Sequence, residues 1–313
     1  MKMVDLGTAG HKVSQFCLGA MHLGSRDDAD ISYRLLDRFV AAGGSFIDTA
    51  NIYARWVPGF RGGESEALLG RWMRERRNRS RLFIATKVGL EYPGVQRGLK
   101  AQQIVQECEK SLKRLGIDVI DLYYAHIDDR TTSMEETLEA FFRLVEAGKV
   151  RCIGASNFLA WRLEEARWIS LTNGWPQYCC VQQRHTFLRP RLGTSFAPQI
   201  SSNDDLLDYC RVRGVTLLAY SPLLSGAYTR TDRGFPDQYL GPDTEARMLV
   251  LESVADELGA TPNQVVLAWM VQSDPPVIPL VAASTIEQLD ENLGAADLWL
   301  DQKQMERLNS AST

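Results

Sequence analysis

Residues 83–126 read FIATKVGLEYPGVQRGLKAQQIVQECEKSLKRLGIDVIDLYYAH. The stretch opens on a short apolar, β-rich run, Phe83 to Lys87, and closes on another, Ile120 to His126. Between them Ile104, Val105, Cys108, Leu112 and Leu115 recur at steps of three and four, which places apolar side chains on one face of a helix. Gly116 follows that helix, where a residue tolerant of positive φ closes a C-terminus cheaply. The stretch is one strand–helix–strand unit, and the fold depends on how often the unit repeats.

Strand-like runs recur at Phe16 to Met21, Phe46 to Ala50, Cys152 to Ser156, Val181 to Gln183, Leu217 to Ser221 and Val277 to Val281, eight in all with the two above. Amphipathic stretches such as Leu138, Phe141, Phe142 and Val145 separate them, and Gly43, Gly148 and Gly214 precede later strands as Gly116 does. Eight such units either close into a (β/α)8 TIM barrel or lie open as a doubly wound sheet. An open dinucleotide fold calls for G-x-G-x-x-G after its first strand, and the chain has no such string. The reading is therefore α/β, a TIM barrel. Met3 to Val13, with Gly7 and Gly10 between short apolar runs, reads as an N-terminal β-hairpin closing the bottom. No linker or composition shift divides residues 1–313, so one barrel domain is expected.

The chain has 313 residues, 45% hydrophobic and 24% charged, which excludes disordered and fibrous classes. Net charge is −4 and the basic residues read as scattered, so neither nucleic acid nor an anionic membrane is an expected partner. The first ten residues lack an apolar targeting core, and the strongest apolar run, Val265 to Val271, is too short to span a bilayer. Cys17, Cys108, Cys152, Cys179, Cys180 and Cys210 include no C-x-x-C pair. They read as reduced, buried thiols of a cytoplasmic protein, with neither disulfide nor metal. Trp72, Trp161, Trp168 and Trp269 read as core or helix packing.

In a barrel the chemistry sits at the C-terminal ends of the strands and in the loops after them. Asp48 with Tyr53 just beyond, then Lys87, then His126, occupy those positions on the second, third and fourth strands. A phenol releases its proton poorly at neutral pH, and a nearby ammonium such as Lys87 would lower its pKa. Asp48 would keep a buried Lys87 charged, and His126 would orient a carbonyl oxygen. Two irregular stretches, Arg55 to Gly63 and Arg184 to Ser202, should border this site.

With these residues in place the chain resembles the aldo-keto reductase superfamily over nearly its whole length. The resemblance rests on Asp48-Thr49-Ala50-Asn51-Ile52-Tyr53, Gly63-Glu64-Ser65-Glu66, Ala85-Thr86-Lys87, Asp121 to His126, Gly154-Ala155-Ser156-Asn157-Phe158 and Ala219 to Leu223, in this order and spacing. It implies a metal-free barrel that reduces carbonyls by hydride transfer from NADP(H) or NAD(H), on a small-molecule carbonyl or alcohol. It makes Asp48, Tyr53, Lys87 and His126 the catalytic tetrad, with Tyr53 the general acid.

The same resemblance assigns the cofactor groove. Ser156, Asn157 and Gln182 would hold the carboxamide, and Tyr220 would stack on the nicotinamide. Ser221, Leu223 and Gly226 would line the pyrophosphate, Ser284, Gln288, Glu291 and Asn292 the adenosine end, and Met21 the nicotinamide ribose, while Asp48 also borders the groove. Relatives often place a cation after the eighth strand for the 2′-phosphate of NADP, but Val281 to Gln288 holds none, which leaves NADH open beside the usual NADPH. Arg230 stands where relatives carry a lysine near the pyrophosphate.

The loop from Tyr53 to Ser65 carries Arg55, Trp56, Phe60 and Arg61, and a Trp beside cations suits a polar ring such as an oxidised sugar. Gln183-Arg184-His185 adds polar character to the sixth strand's end. The alternative is a cofactor-binding redox sensor or regulatory subunit on the same barrel. A hydrolase or aldolase using Lys87 as a Schiff base would leave Asp48 and Tyr53 without roles. Oligomeric state is not readable from the sequence.

Overall fold

The computed structural model describes residues 1–312. Strands β3 (Cys17–Gly19), β4 (Phe46–Asp48), β5 (Phe83–Val88), β6 (Ile120–Ala125), β7 (Val150–Ser156), β8 (Tyr178–Arg184), β9 (Thr216–Tyr220) and β10 (Val277–Val281) form a closed parallel barrel. Closure runs through β10, whose Leu280 and Val281 pair with Cys17 and Leu18 of β3. All eight expected strands are present, shifted by at most a few residues at their ends.

Each strand is followed on the outside by a helix, because the outward strand residues and the helix stripes are both apolar. The helices are α1 (Ala29–Ala41), α2 (Glu64–Arg76), α3 (Ala101–Leu115), α4 (Met134–Glu146), α5 (Ala160–Asn173), α6 (Asp204–Arg213), α8 (Pro262–Gln272) and α9 (Ile286–Gly294). Two more, α7 (Pro242–Leu258) and α10 (Gln302–Ser310), lie outside the repeat. Ile104, Cys108, Leu112 and Leu115 are buried as the α3 stripe requires, but Val105 lies at its exposed edge. Gly116 and Gly214 cap α3 and α6 at positive φ, while Gly43 and Gly148 follow the caps of α1 and α4 by one residue.

The inner face of the barrel is a second core, built from Cys17, Phe46, Phe83, Leu122, Tyr124, Cys180, Leu218 and Ile278 among others. Its bottom is closed by the antiparallel hairpin of β1 (Met3–Asp5) and β2 (Lys12–Ser14), whose turn drops Leu6 into that core beside Val13. The Gly7 amide donates to the Thr216 hydroxyl at 2.7 Å, and a Cβ on Gly7 would lie 2.0 Å from the Cys179 carbonyl oxygen. Only glycine permits that approach, at φ +52°.

Two expectations need correction. Trp161 and Trp168 are 56% and 61% exposed, so they pack no core; Trp161 instead lies under the guanidinium groups of Arg130 and Arg162. Basic residues are also less evenly scattered than they read. Arg71, Arg74, Arg76, Arg77, Arg79 and Arg81 crowd the end of α2 and the turn after it, where cations offset the exposed carbonyls of a helix terminus. Two of these have carboxylate partners, Arg76 with Asp37 and Arg79 with Asp121. The six cysteines are buried and unpaired, and no helix among the described residues is long and apolar enough to cross a membrane.

Replacing Gly7 by Ala should lower stability by at least about 2 kcal/mol, through the clash as well as the left-handed backbone. Gly10→Ala, also at positive φ but with nothing within 4 Å of its Cβ, should lose only about 1 kcal/mol. Denaturant unfolding of the two variants tests this; equal losses would show that the hairpin does not seat in the barrel.

Candidate active site

Lys87, near the end of β5, is fully buried, and its ammonium has three acceptors for its three protons. It donates to Asp48 Oδ1 at the end of β4, to the Thr49 carbonyl at 2.8 Å and to Tyr53 Oη at 2.7 Å. The Asp48 carboxylate is also fully buried; it accepts from Gln182 Nε2 of β8 at 2.8 Å, and Tyr53 Oη lies 3.5 Å from its other oxygen. His126, just past β6, presents its ring edge-on to Tyr53 at a centroid distance of 6.3 Å. The four residues expected from sequence are therefore one connected group at the C-terminal mouth of the barrel.

The charges follow from this burial. Desolvation pushes Lys87 down and Asp48 up, and each is opposed by the other's charge. Geometry favours the ion pair, since every proton of the ammonium is accepted. Tyr53 departs from expectation. Burial and the Asp48 charge drive its phenol well above the usual value, so the ground-state phenol is firmly protonated. Lys87, 2.7 Å from the phenol oxygen, does not overcome that burial and the Asp48 charge. Burial, with Lys87 and Arg55 nearby, drives His126 well below its usual value. The ring is neutral at pH 7, and its buried Nδ1 has no partner.

A second layer braces the turn from Asp48 to Tyr53. The Thr49 and Ser65 hydroxyls are 2.8 Å apart, and Ser65 donates to the Ala20 carbonyl at 2.7 Å. Asn51 donates to Glu107 at 2.8 Å, and Thr86, beside Lys87 on β5, donates to the buried Glu66 at 2.5 Å. Glu66 in turn accepts from Arg114 at 2.5 Å. Glu64 accepts the Arg61 and Gly62 amides, each at 2.8 Å, which fixes the chain entering α2. Gly63 to Glu66 was visible as a motif, but its supporting role needed the long-range partners Thr86, Ala20 and Arg114.

The expected cofactor residues occupy the same mouth with unequal freedom. Ser156 is buried at the end of β7. Gln182 has no protein partner on its side-chain oxygen Oε1 among the described residues, while its side-chain amide holds Asp48. Asn157, at φ +61°, is fully engaged: it donates to the His126 carbonyl and Ser156, and accepts from Tyr220 Oη at 2.8 Å and the Ile200 amide. Tyr220 is thereby held with its ring half-buried. After it, Ser221, Leu224, Ser225 and Gly226 all have positive φ, and the turn is closed by the Leu224 amide on the Ser221 carbonyl and the Gly226 amide on the Leu223 carbonyl.

Farther out, Thr285 caps α9 and Ser284 is exposed, but Gln288 turns its oxygen onto the Ser284 amide at 3.0 Å. Glu291 accepts from Thr261 at 2.7 Å, and Asn292 donates to the Ala282 carbonyl at 3.2 Å, so both serve the protein itself. Leu223 is half-buried and Met21 is 39% exposed. Arg230 is paired with Asp232 at 2.6 Å on the surface.

Of the two loops, Trp56 is 44% exposed with its ring 6.0 Å from that of Tyr53, and Arg55 pairs with Glu91 at 3.2 Å. In the other, Arg184 accepts the Ser202 amide on its carbonyl. Gln183 is fully buried and donates to the Phe158 carbonyl, and His185 stacks on Trp269 and bonds Ser202. Neither adds polarity to the mouth.

The aldo/keto reductase family pattern matches residues 15–313. The chain belongs to the aldo/keto reductase family. An uncharacterised oxidoreductase, YrpG, of Bacillus subtilis (strain 168) is 32% identical over 99% of this chain and 95% of its own length. The norsolorinic acid reductase stcV of Emericella nidulans is 31% identical over 95% of this chain and 78% of its own, and the aldo-keto reductase str7 of Strobilurus tenacellus 32% over 88% and 79%. This aldo/keto reductase is accordingly an NAD(P)H-dependent enzyme of carbonyl reduction. A half-buried Tyr220 ring, the unengaged Gln182 side-chain oxygen and the left-handed turn at Ser221 to Gly226 are groups of the kind such a cofactor needs.

The His126 ring should show no protonation midpoint between pH 6 and 8 in an NMR titration, because burial and two cations disfavour its charged form. A midpoint near 6.5 would mean that the ring is open to water.

Proposed function

We propose that this protein reduces an aldehyde or ketone to the alcohol, with Tyr53 as the general acid and Asp48, Lys87 and His126 as its support. The observation that carries this reading is the buried Lys87 ammonium joining Asp48 to the phenol oxygen of Tyr53, beside a neutral imidazole. A bound reduced nicotinamide supplies the hydride that attacks the carbonyl carbon. Tyr53 gives its proton to the carbonyl oxygen, and its high ground-state pKa keeps that proton in place until the oxygen turns basic. Lys87 then stands 2.7 Å from the phenolate, and Asp48 keeps it charged for that purpose. His126, uncharged, offers an N–H to the same carbonyl oxygen and sets its direction. Alcohol oxidation runs through the same groups in reverse.

For the cofactor we assign the Gln182 oxygen and the Ser156 hydroxyl to the carboxamide, the Tyr220 ring to the nicotinamide face, and Met21 to its ribose. Ser221, Leu223 and Gly226 line the pyrophosphate, and Ser284 and Gln288 meet the adenosine end. Asn157, Glu291 and Asn292 act one step back, holding Tyr220 and the helices in place. NADP(H) follows from the family and NAD(H) from the missing cation. The exposed Trp56 beside Tyr53 supports a ring-shaped substrate such as an oxidised sugar. Six unpaired buried thiols suit a reducing cytoplasm.

Tyr53→Phe should cut carbonyl turnover by about 10² to 10⁴-fold while the dissociation constant of the dinucleotide changes less than about threefold, because the phenol acts in the transition state. Fluorescence titration and steady-state kinetics check both halves; equal loss of binding would displace Tyr53 from the role. On a panel of oxidised sugars, aromatic aldehydes and norsolorinic acid, kcat/KM should be highest for the sugars. Uniformly better values on the aromatic compounds would overturn the sugar assignment but leave the reductase.

A further inference from the structure

The loop after the first barrel strand and the loop after the last meet at the mouth, because β10 pairs with β3 and Arg38 of α1 bonds Asp290 of α9 at 2.6 Å. In that contact Asp27 is 6% exposed, and its Oδ2 is buried without a hydrogen-bond partner. Its neighbours are the Ser284 hydroxyl, His22 and Arg26. His22, from the same loop, also buries an unpartnered ring atom, Nδ1. The Ser284 hydroxyl reaches the Asp27 carboxylate, and two polar atoms of this short loop, Asp27 Oδ2 and His22 Nδ1, still lack a hydrogen-bond partner beside the turn that caps α9, each able to pair with a hydroxyl from outside the protein. A ribose carries hydroxyls of that kind.

We propose that Asp27 reads the 2′ position of the adenosine ribose, accepting a hydrogen bond from a free 2′-hydroxyl and repelling a 2′-phosphate, so that the enzyme favours NADH over NADPH. The inference rests on the proposed placement of the adenosine at Ser284 and Gln288. It draws on two independent features. The segment Val281 to Gln288 has no cation to meet a phosphate, and the loop facing it puts the Asp27 carboxylate beside Ser284. A carboxylate hydrogen-bonded to the ribose is a general means of selecting the unphosphorylated dinucleotide. Nearby cations are mostly occupied: Arg38 is held by Asp290, and Arg34 lies beside Glu287. Arg26 is the exposed cation next to Asp27, and it defines the opposite outcome.

Dissociation constants of the full-length protein for NADH and NADPH, and for 5′-AMP and 2′,5′-ADP as adenosine fragments, test this by calorimetry without any turnover. The wild type should bind NADH and 5′-AMP at least tenfold tighter than their 2′-phosphorylated counterparts. Asp27→Asn and Asp27→Ser should each narrow that ratio at least tenfold, mainly by tightening the phosphorylated ligands, with thermal stability as the check on folding. Unchanged ratios in both folded variants would overturn the proposal, as would a wild-type preference for NADPH that Arg26→Ala removes. Binding of none of the four ligands would instead overturn the cofactor placement itself, a result separable from the first two.

Discussion

A buried ammonium constrains this molecule more than any other group. Stripped of water, Lys87 would cost several kcal/mol unless every proton found an acceptor. The acceptors come from Asp48, the Thr49 carbonyl and Tyr53. The backbone between Asp48 and Tyr53 must therefore curl back over β5, and the phenol oxygen is held where the ammonium needs it. Asp48 has its second oxygen satisfied by Gln182 from the far side of the barrel, which ties the geometry to closure of the sheet. An open sheet with the same strands would leave that carboxylate one bond short.

The braces behind the site extend the same logic. Glu66 and Glu107 are buried carboxylates on helices outside the barrel, and each collects donors from the strand or turn that carries the reactive groups. Removing one donor from such a network leaves a buried acceptor unsatisfied, which costs more than the lost bond alone. Rigidity at Tyr53 thus depends on α2 and α3 being packed in register, and the apolar stripe of α3 supplies that register.

Much of this was legible in the sequence because it is local or periodic. The eight strands show as apolar β-rich runs, α3 as a stripe ending in Gly116, and the four site residues as polar groups at the ends of apolar runs. What escaped is what depends on distance across the fold. Val105 falls in the α3 stripe by spacing alone, yet it lies at the exposed edge of the helix face. Trp161 and Trp168 sit in a helical pattern whose exposed side the sequence does not mark. Tyr53 was expected to be acidified by Lys87, and its burial, with Asp48 beside both, reverses that. Gln183 and His185 are polar letters that turn away from the mouth, and Asp27 is an ordinary loop acid until β10 brings Ser284 alongside it.

The hairpin that drops Leu6 into the barrel has a consequence for traffic. With Gly7 pressed against the Cys179 carbonyl, the N-terminal end is a floor rather than a second door. Whatever reaches Tyr53 must come and go past the loops carrying Trp56 and Arg184.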